Sequence, residues 1–248
     1  MRKLFLLILL PFILACSNSE GGSDAKPPEP YTVEVNYYGA LKEIMHESNL
    51  SSRIDLSELE SLENLYALGA FENLQGEIQI FDGEVFNSRL NGVLSHEIEK
   101  NLEGGAALLV AAQVHEWNEF EVDQQLKSDG NMQSYIAEMA ALNGIDTTNP
   151  FPFLLEGESQ MLDWHIIDWD IADSVHTHEK HVKSGLKGSM INKEIFVLGF
   201  YSNSHHAIFT HHTTNLHMHF RSADALEAGH VDNLVCGEGM RLFLPSPE

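Results

Sequence analysis

The sequence predicts an α+β fold built mainly of antiparallel β-sheets with a few short helices. Three observations carry this: segments of alternating apolar and polar residues recur along the chain, an Asp-Gly pair divides one of them, and helical spacing is confined to short stretches. Residues 31–37 (YTVEVNY) alternate and predict a first strand, and residues 39–45 predict a helical stretch behind it. Asp55 can cap a short helix over residues 55–62, where Leu56, Leu59 and Leu62 stand three apart. Residues 76–86 (GEIQIFDGEVF) alternate on both sides of Asp82-Gly83, the strongest short hairpin signal in the chain.

Residues 106–114 are apolar enough for a central strand or a buried helix, and periodicity does not decide between them. Residues 132–142 predict a helix ended near Asn143-Gly144. Strand patterns resume at residues 151–157, 194–201, 216–220 and 240–244, the last stopped by Pro245. No internal repeat and no coiled-coil pattern is present.

The N-terminus reads as a targeting segment. Arg2 and Lys3 precede an uncharged apolar run from Leu4 to Leu14, shorter than the roughly 20 residues a membrane-crossing helix needs. Ile13-Leu14-Ala15-Cys16 resembles the lipobox of bacterial lipoproteins, which implies cleavage before Cys16 and a lipid on it. Residues 1–15 are thus expected as a signal peptide, residues 16–30 as a Gly, Ser and Pro-rich flexible tether, and residues 31–248 as one domain. The expected location is extracytoplasmic, on a bacterial membrane. With Cys16 acylated no intrachain disulfide is available, and Cys236 is expected as a core thiol.

The formal net charge is -23, from 37 acids against 14 Lys and Arg. Such a surface repels phosphate backbones and anionic headgroups, so nucleic acid is not an expected partner and membrane attachment rests on the lipid. A small anionic substrate stays compatible, because a bound cation reverses the field locally.

All but two of the 14 histidines follow residue 114, and ten fall between His176 and His230. His176, His178 and His181 read as part of a solvated loop, while His205-His206 and His211-His212 offer a second, weaker metal-binding surface. His217 and His219 differ, because a strand turns alternate side chains to one face and sets the two imidazoles side by side. Two neighbours fix half of a tetrahedron, so a further ligand must come from another segment. His230 is the candidate, with Gly229 allowing close backbone approach.

These blocks resemble the α-acetolactate decarboxylases. That family carries His-x-His-Phe, a short charged turn and Gly-His-Val, matched here by His217-Met218-His219-Phe220, residues 221–224 and Gly229-His230-Val231. Its Gly-Thr-Phe, Leu-x-Gly-Glu and Asp-Gly pattern is matched by Gly69-Ala70-Phe71, Leu74-Gln75-Gly76-Glu77 and Asp82-Gly83. The resemblance implies the family's fold, Zn2+ or another divalent metal on His217, His219 and His230, and a catalytic glutamate at Glu77. It implies a small α-hydroxy-β-keto acid as substrate, 2-acetolactate, decarboxylated to acetoin; a homodimer stays open. Two departures bear on the substrate. Residues 156–167 hold no arginine where the family has one, leaving Asp163 or His165 in that neighbourhood with His165 able to replace it in part, and Thr213-Thr214-Asn215 stand where proline and glycine lead into the first histidine. Another metal-dependent lyase or hydrolase acting on a small oxoacid, or a non-catalytic metal- or ligand-binding lipoprotein, fits the same residues.

Overall fold

The computed structural model of the chain describes residues 29–122 and 132–247. The expected signal peptide, Cys16 and tether residues 16–28 lie outside the described residues. The first eight strands in sequence form one sheet: β1 (Val35–Tyr38), β2 (Ile54–Asp55), β3 (Leu65–Phe71), β4 (Glu77–Phe81), β5 (Glu84–Val85), β6 (Asn87–Gly92), β7 (Ser95–Glu99) and β8 (Gly105–Gln113). The next seven form the other: β9 (Trp117–Glu121), β10 (Phe151–Ile166), β11 (Leu186–Met190), β12 (Lys193–Tyr201), β13 (Leu216–Ser222), β14 (Ala228–Cys236) and β15 (Arg241–Pro245). Three short α-helices accompany them among the described residues: α1 (Leu41–Glu47), α2 (Met132–Leu142) and α3 (His178–Ser184). Every strand pairing is antiparallel, as the alternating pattern predicts.

The backbone of the first sheet runs β1-β8-β3-β4-β6-β7, with β2 on β8 and β5 on β4. Asp82 and Gly83 take φ of 51° and 77°, the left-handed pair that a two-residue hairpin needs, and pair Phe81 with Glu84. The residues 106–114 are a strand. β8 lies between β1 and β3 and is buried on both faces, which is why it shows no alternation. The helix expected at residues 55–62 is a single 3-10 turn, Leu56–Leu59, closed by a reciprocal capping box between Asp55 and Glu58.

In the second sheet β10 is 16 residues long and changes partners along its length. Its first half pairs with β12 and β15, and its second half with β14 and β11. Because β12, β13 and β14 are also joined edge to edge, the pairings close a ring β10-β12-β13-β14. The sequence pattern marks only residues 151–157 of β10, since Gly157 with φ of 134° interrupts the run; its Cβ position lies 2.9 Å from the Met240 Cα, so only glycine fits there.

One apolar cluster fills the space between the sheets, with Leu68, Val110, Leu198 and Phe200 at its centre. A second lies within the ring and under α2, built on Phe151, Phe153, Phe220 and Leu242, and includes the buried Cys236. Full burial of a phenylalanine or leucine contributes roughly 1.5–3 kcal/mol. The two sheets are also tied by hydrogen bonds where β10 ends: Trp169 N donates to the Leu74 carbonyl at 3.1 Å and Gln75 Nε2 to the Trp169 carbonyl at 2.8 Å. This junction carries the end of β10 onto the start of β4.

Candidate metal centre

The register places three histidines on one rung. His219 of β13 is the cross-strand partner of His230 of β14, and His230 is the partner of His165 of β10. Side chains on one rung share a face, and His217 joins them two residues before His219. The rings of His217, His219 and His230 stand 5.0 to 5.2 Å apart by centroid. Gly229 makes the close approach that the sequence predicts, because a Cβ there would lie 2.6 Å from the His165 carbonyl oxygen.

The three rings converge by their nitrogens. His219 Nε2 is 3.2 Å from His217 Nε2 and 3.3 Å from His230 Nδ1, and all three ligating atoms fall within 4.8 Å of one another. With Zn–N bonds of about 2.0–2.1 Å, the edge of a tetrahedron is about 3.3–3.4 Å, which the two spacings measured from His219 match. A hydrogen-bond chain fixes the tautomer of the central ring. Gln79 Nε2 donates to the Phe86 carbonyl at 2.6 Å and to Ser88 Oγ at 3.1 Å, so its Oε1 must face His219 Nδ1, 2.9 Å away, and accept its proton. His219 Nε2 is left as a lone pair aimed at the other two rings.

Burial dominates the electrostatics. It pushes His217 down to about 4, against a small opposing effect of the Phe209 carbonyl, and holds His219 and His230 well below the usual imidazole range, with neighbouring histidines adding to the shift. Neutral imidazoles are the form that ligates a metal.

Glu77 begins β4 and faces this cluster from the opposite sheet. It is 3% exposed, and its Oε2 lies 3.8 Å from His219 Nε2. Its Oε1 accepts from Ile167 N at 3.1 Å, the contact made possible by the junction at the end of β10. Burial pushes Glu77 up to about 7, opposed by His165 and by the Ile167 N–H. His165 stands between two carboxylates: Nδ1 is 2.9 Å from Asp232 Oδ1, and Nε2 is 3.8 Å from Glu77 Oε1. Asp232 reaches it from a β-bulge in β14, where the register passes from Asp163↔Asn233 to Trp164↔Val231.

Glu77, His165, His217 and His230 line a cavity of about 680 Å3 that opens between α1, α3 and the segment between β12 and β13. Of the two residues expected near the missing arginine, only His165 lines it, while Asp163 turns away to Ser189 and Asn233. No arginine lines the cavity among the described residues, and Lys42 is its one Lys or Arg side chain. A wider groove of about 850 Å3, beside β1 and β8, holds no comparable histidine cluster.

The expectation of a solvated loop for His176, His178 and His181 is corrected. His178 is exposed, but His176 and His181 are buried, because Trp169 stacks on the first and meets the second edge-on at centroid distances of 4.6 and 4.7 Å. His205 is held by Ser202 Oγ at 2.8 Å and His206 by Asn215 Oδ1 at 2.8 Å, so that pair is tied into its own loop. Gln79 and Asp232 were not singled out by sequence reasoning. Gln79 was readable in principle, since it lies two residues from Glu77 on the same strand face; Asp232 depends on a bulge that no sequence pattern announces.

The fold is an α+β arrangement of two antiparallel sheets, with a three-histidine cluster where they meet, and it is similar to that of acetolactate decarboxylases. The crystal structure of alpha-acetolactate decarboxylase from Bacillus subtilis strain 168 matches with a TM-score of 0.65 at 14% identity, over 88% of this chain and 86% of that one. A Staphylococcus aureus protein of unknown function, described as similar to alpha-acetolactate decarboxylase, matches with a TM-score of 0.64 at 12% identity, over 88% and 87%. Acetolactate decarboxylase from Bacillus subtilis subspecies spizizenii gives 0.64 at 14%, over 88% and 87%. No family model and no curated protein matches the sequence. At these identities the likeness is one of fold.

Proposed function

We propose that the protein is a metal-dependent carboxy-lyase that converts 2-acetolactate to acetoin. The observation that carries this reading is the meeting of a buried, proton-holding carboxyl, Glu77, with the converging ring nitrogens of His217, His219 and His230 beside a cavity that Glu77, His217 and His230 line. A divalent cation such as Zn2+ on the three histidines would polarise the substrate ketone as a Lewis acid and take up the charge that develops on oxygen as carbon dioxide leaves.

The chain's own residues supply the rest. Loss of carbon dioxide leaves an electron pair that must be closed by a proton on the former carboxyl-bearing carbon. Glu77, pushed up to about 7, still holds a proton near neutrality and can deliver it; the 3% exposure of its residue keeps bulk water from competing. His165, held by Asp232, is the group that can meet the substrate carboxylate in place of the absent arginine. We also propose extracytoplasmic anchoring through lipid on Cys16, for which the support is the sequence of residues 1–16; Cys16→Ser should abolish incorporation of labelled fatty acid.

The test is elemental analysis of the purified protein together with release of carbon dioxide and acetoin from racemic acetolactate. We expect one tightly held cation per chain and turnover. Glu77→Gln should lose at least about 100-fold in kcat, the usual size of a general-acid contribution, while retaining the metal. A metal-loaded protein inert toward acetolactate would point instead to another small oxoacid or to a binding role, and a protein that takes up no metal would end this reading.

A further inference from the structure

The cavity carries more imidazole than the central cluster uses. At its mouth His178, the first residue of α3, faces His211 and His212 on the turn between β12 and β13. The ring centroids of His178 and His211 are 4.7 Å apart and those of His211 and His212 are 4.0 Å apart, within the spacing of the central triad. The mouth cluster joins two separate elements, one on each side of the opening.

We propose that His178, His211 and His212 form a second cation site, selective for imidazole-seeking divalent transition metals, which ties α3 to the 211–212 turn across the mouth. The hydrogen bonding fits ligation. His211 Nδ1 lies 2.8 Å from Thr213 Oγ1; donation to that hydroxyl leaves Nε2 as a lone pair, the outer-partner arrangement typical of a ligating histidine. His178 and His212 are exposed, so their rings can turn toward a shared ion without disturbing the core. Three imidazole nitrogens and an open coordination position suit Zn2+, Ni2+ and above all Cu2+, and exclude Mg2+ and Ca2+, which require oxygen. The net charge of -23 draws cations to the surface without choosing among them.

The site differs from the buried pair His176 and His181, whose Nδ1 and Nε2 are 2.8 Å apart. That separation is a hydrogen bond and is shorter than the edge of about 3.3 Å that two nitrogens on one tetrahedral Zn2+ require.

Titration of the metal-free full chain with Cu2+ alone, read by calorimetry and by electron paramagnetic resonance, tests the proposal. We expect two equivalents, the weaker one with nitrogen hyperfine structure. In His178→Ala/His212→Ala the weaker equivalent should lose affinity by at least the roughly 10–100-fold seen when even an outer partner of a ligand is lost. His217→Ala should weaken only the tighter one. The single exposed substitution His212→Asn serves as a check that the double variant has not failed to fold. Binding of one equivalent only, or a second equivalent that survives the mouth substitutions or is lost instead in His176→Ala/His181→Ala, would overturn the proposal. None of these outcomes depends on turnover of acetolactate.

Discussion

At the scale of single residues, Gln79 decides what the central histidine can do. Its amide is fully buried and oriented by two acceptors, so it dictates that His219 Nε2 faces His217 and His230 as a lone pair. Gln79→Met removes that acceptor and leaves the Phe86 carbonyl without its side-chain donor; we expect metal affinity to fall roughly 10–100-fold and stability by about 1–3 kcal/mol. Gln79→Glu keeps an acceptor toward His219 and should retain metal better than Gln79→Met, which metal titration of both variants would show. Equal loss in the two would mean that Gln79 only fills space. The clustering of His217, His219 and His230 was readable in the sequence, because alternation along a strand fixes which side chains share a face, and Gly229 marks close approach. The solvated reading of His176 and His181 failed because the ring that covers them belongs to Trp169, and nothing in their own stretch of sequence shows that cover.

At the scale of elements, the site depends on how tightly β14 lies against β10. Gly229→Ala would place a Cβ 2.6 Å from the His165 carbonyl, so the strands must separate beside His230. We expect a cost of about 1–3 kcal/mol, typical of overpacking, and weakened metal binding. Gly83→Ala is the contrast: nothing lies within 4 Å of its Cβ position, but φ is +77°, so it should cost about 1 kcal/mol through the turn alone and leave the metal untouched. Urea unfolding and metal titration of both would separate the two causes; metal binding unchanged in Gly229→Ala would break the link between strand spacing and ligand geometry. The hairpin at Asp82-Gly83, α2 and β13 follow from local turn chemistry and periodicity, and were legible. The identity of β8 as a strand and the full length of β10 were not, because burial on both faces erases alternation in the first and a change of partners at Gly157 divides the second.

At the scale of the whole molecule, two sheets made from successive halves of the chain meet so that one contributes Glu77 and Gln79 and the other contributes His165, His217, His219 and His230. Sequence motifs could name both halves, but the distance between them follows from the junction of β10 with β4 and from the apolar layer between the sheets. Gathering so many titratable groups in the interior makes the metal-free fold sensitive to acid. His181 and His217 are pushed down to about 4, and His219 and His230 are held well below the usual imidazole range, all chiefly by burial. In the unfolded chain these rings take up protons near pH 6.5, so between about pH 6.5 and 4 the unfolded state binds more protons and stability falls as pH falls, by up to about 1.4 kcal/mol per pH unit for each ring. Glu77 acts oppositely. Its raised value of about 7 makes its contribution full at low pH and lost as pH rises toward 7, but it is one proton against four. Urea midpoints of the chelator-treated protein should therefore drop on going from pH 7 to pH 5, and Glu77→Gln, which removes the opposing proton, should make the drop steeper. A midpoint that stays level or rises on acidification would mean that these histidines are not held neutral in the folded protein, and the same neutrality is what the three-histidine cation site requires.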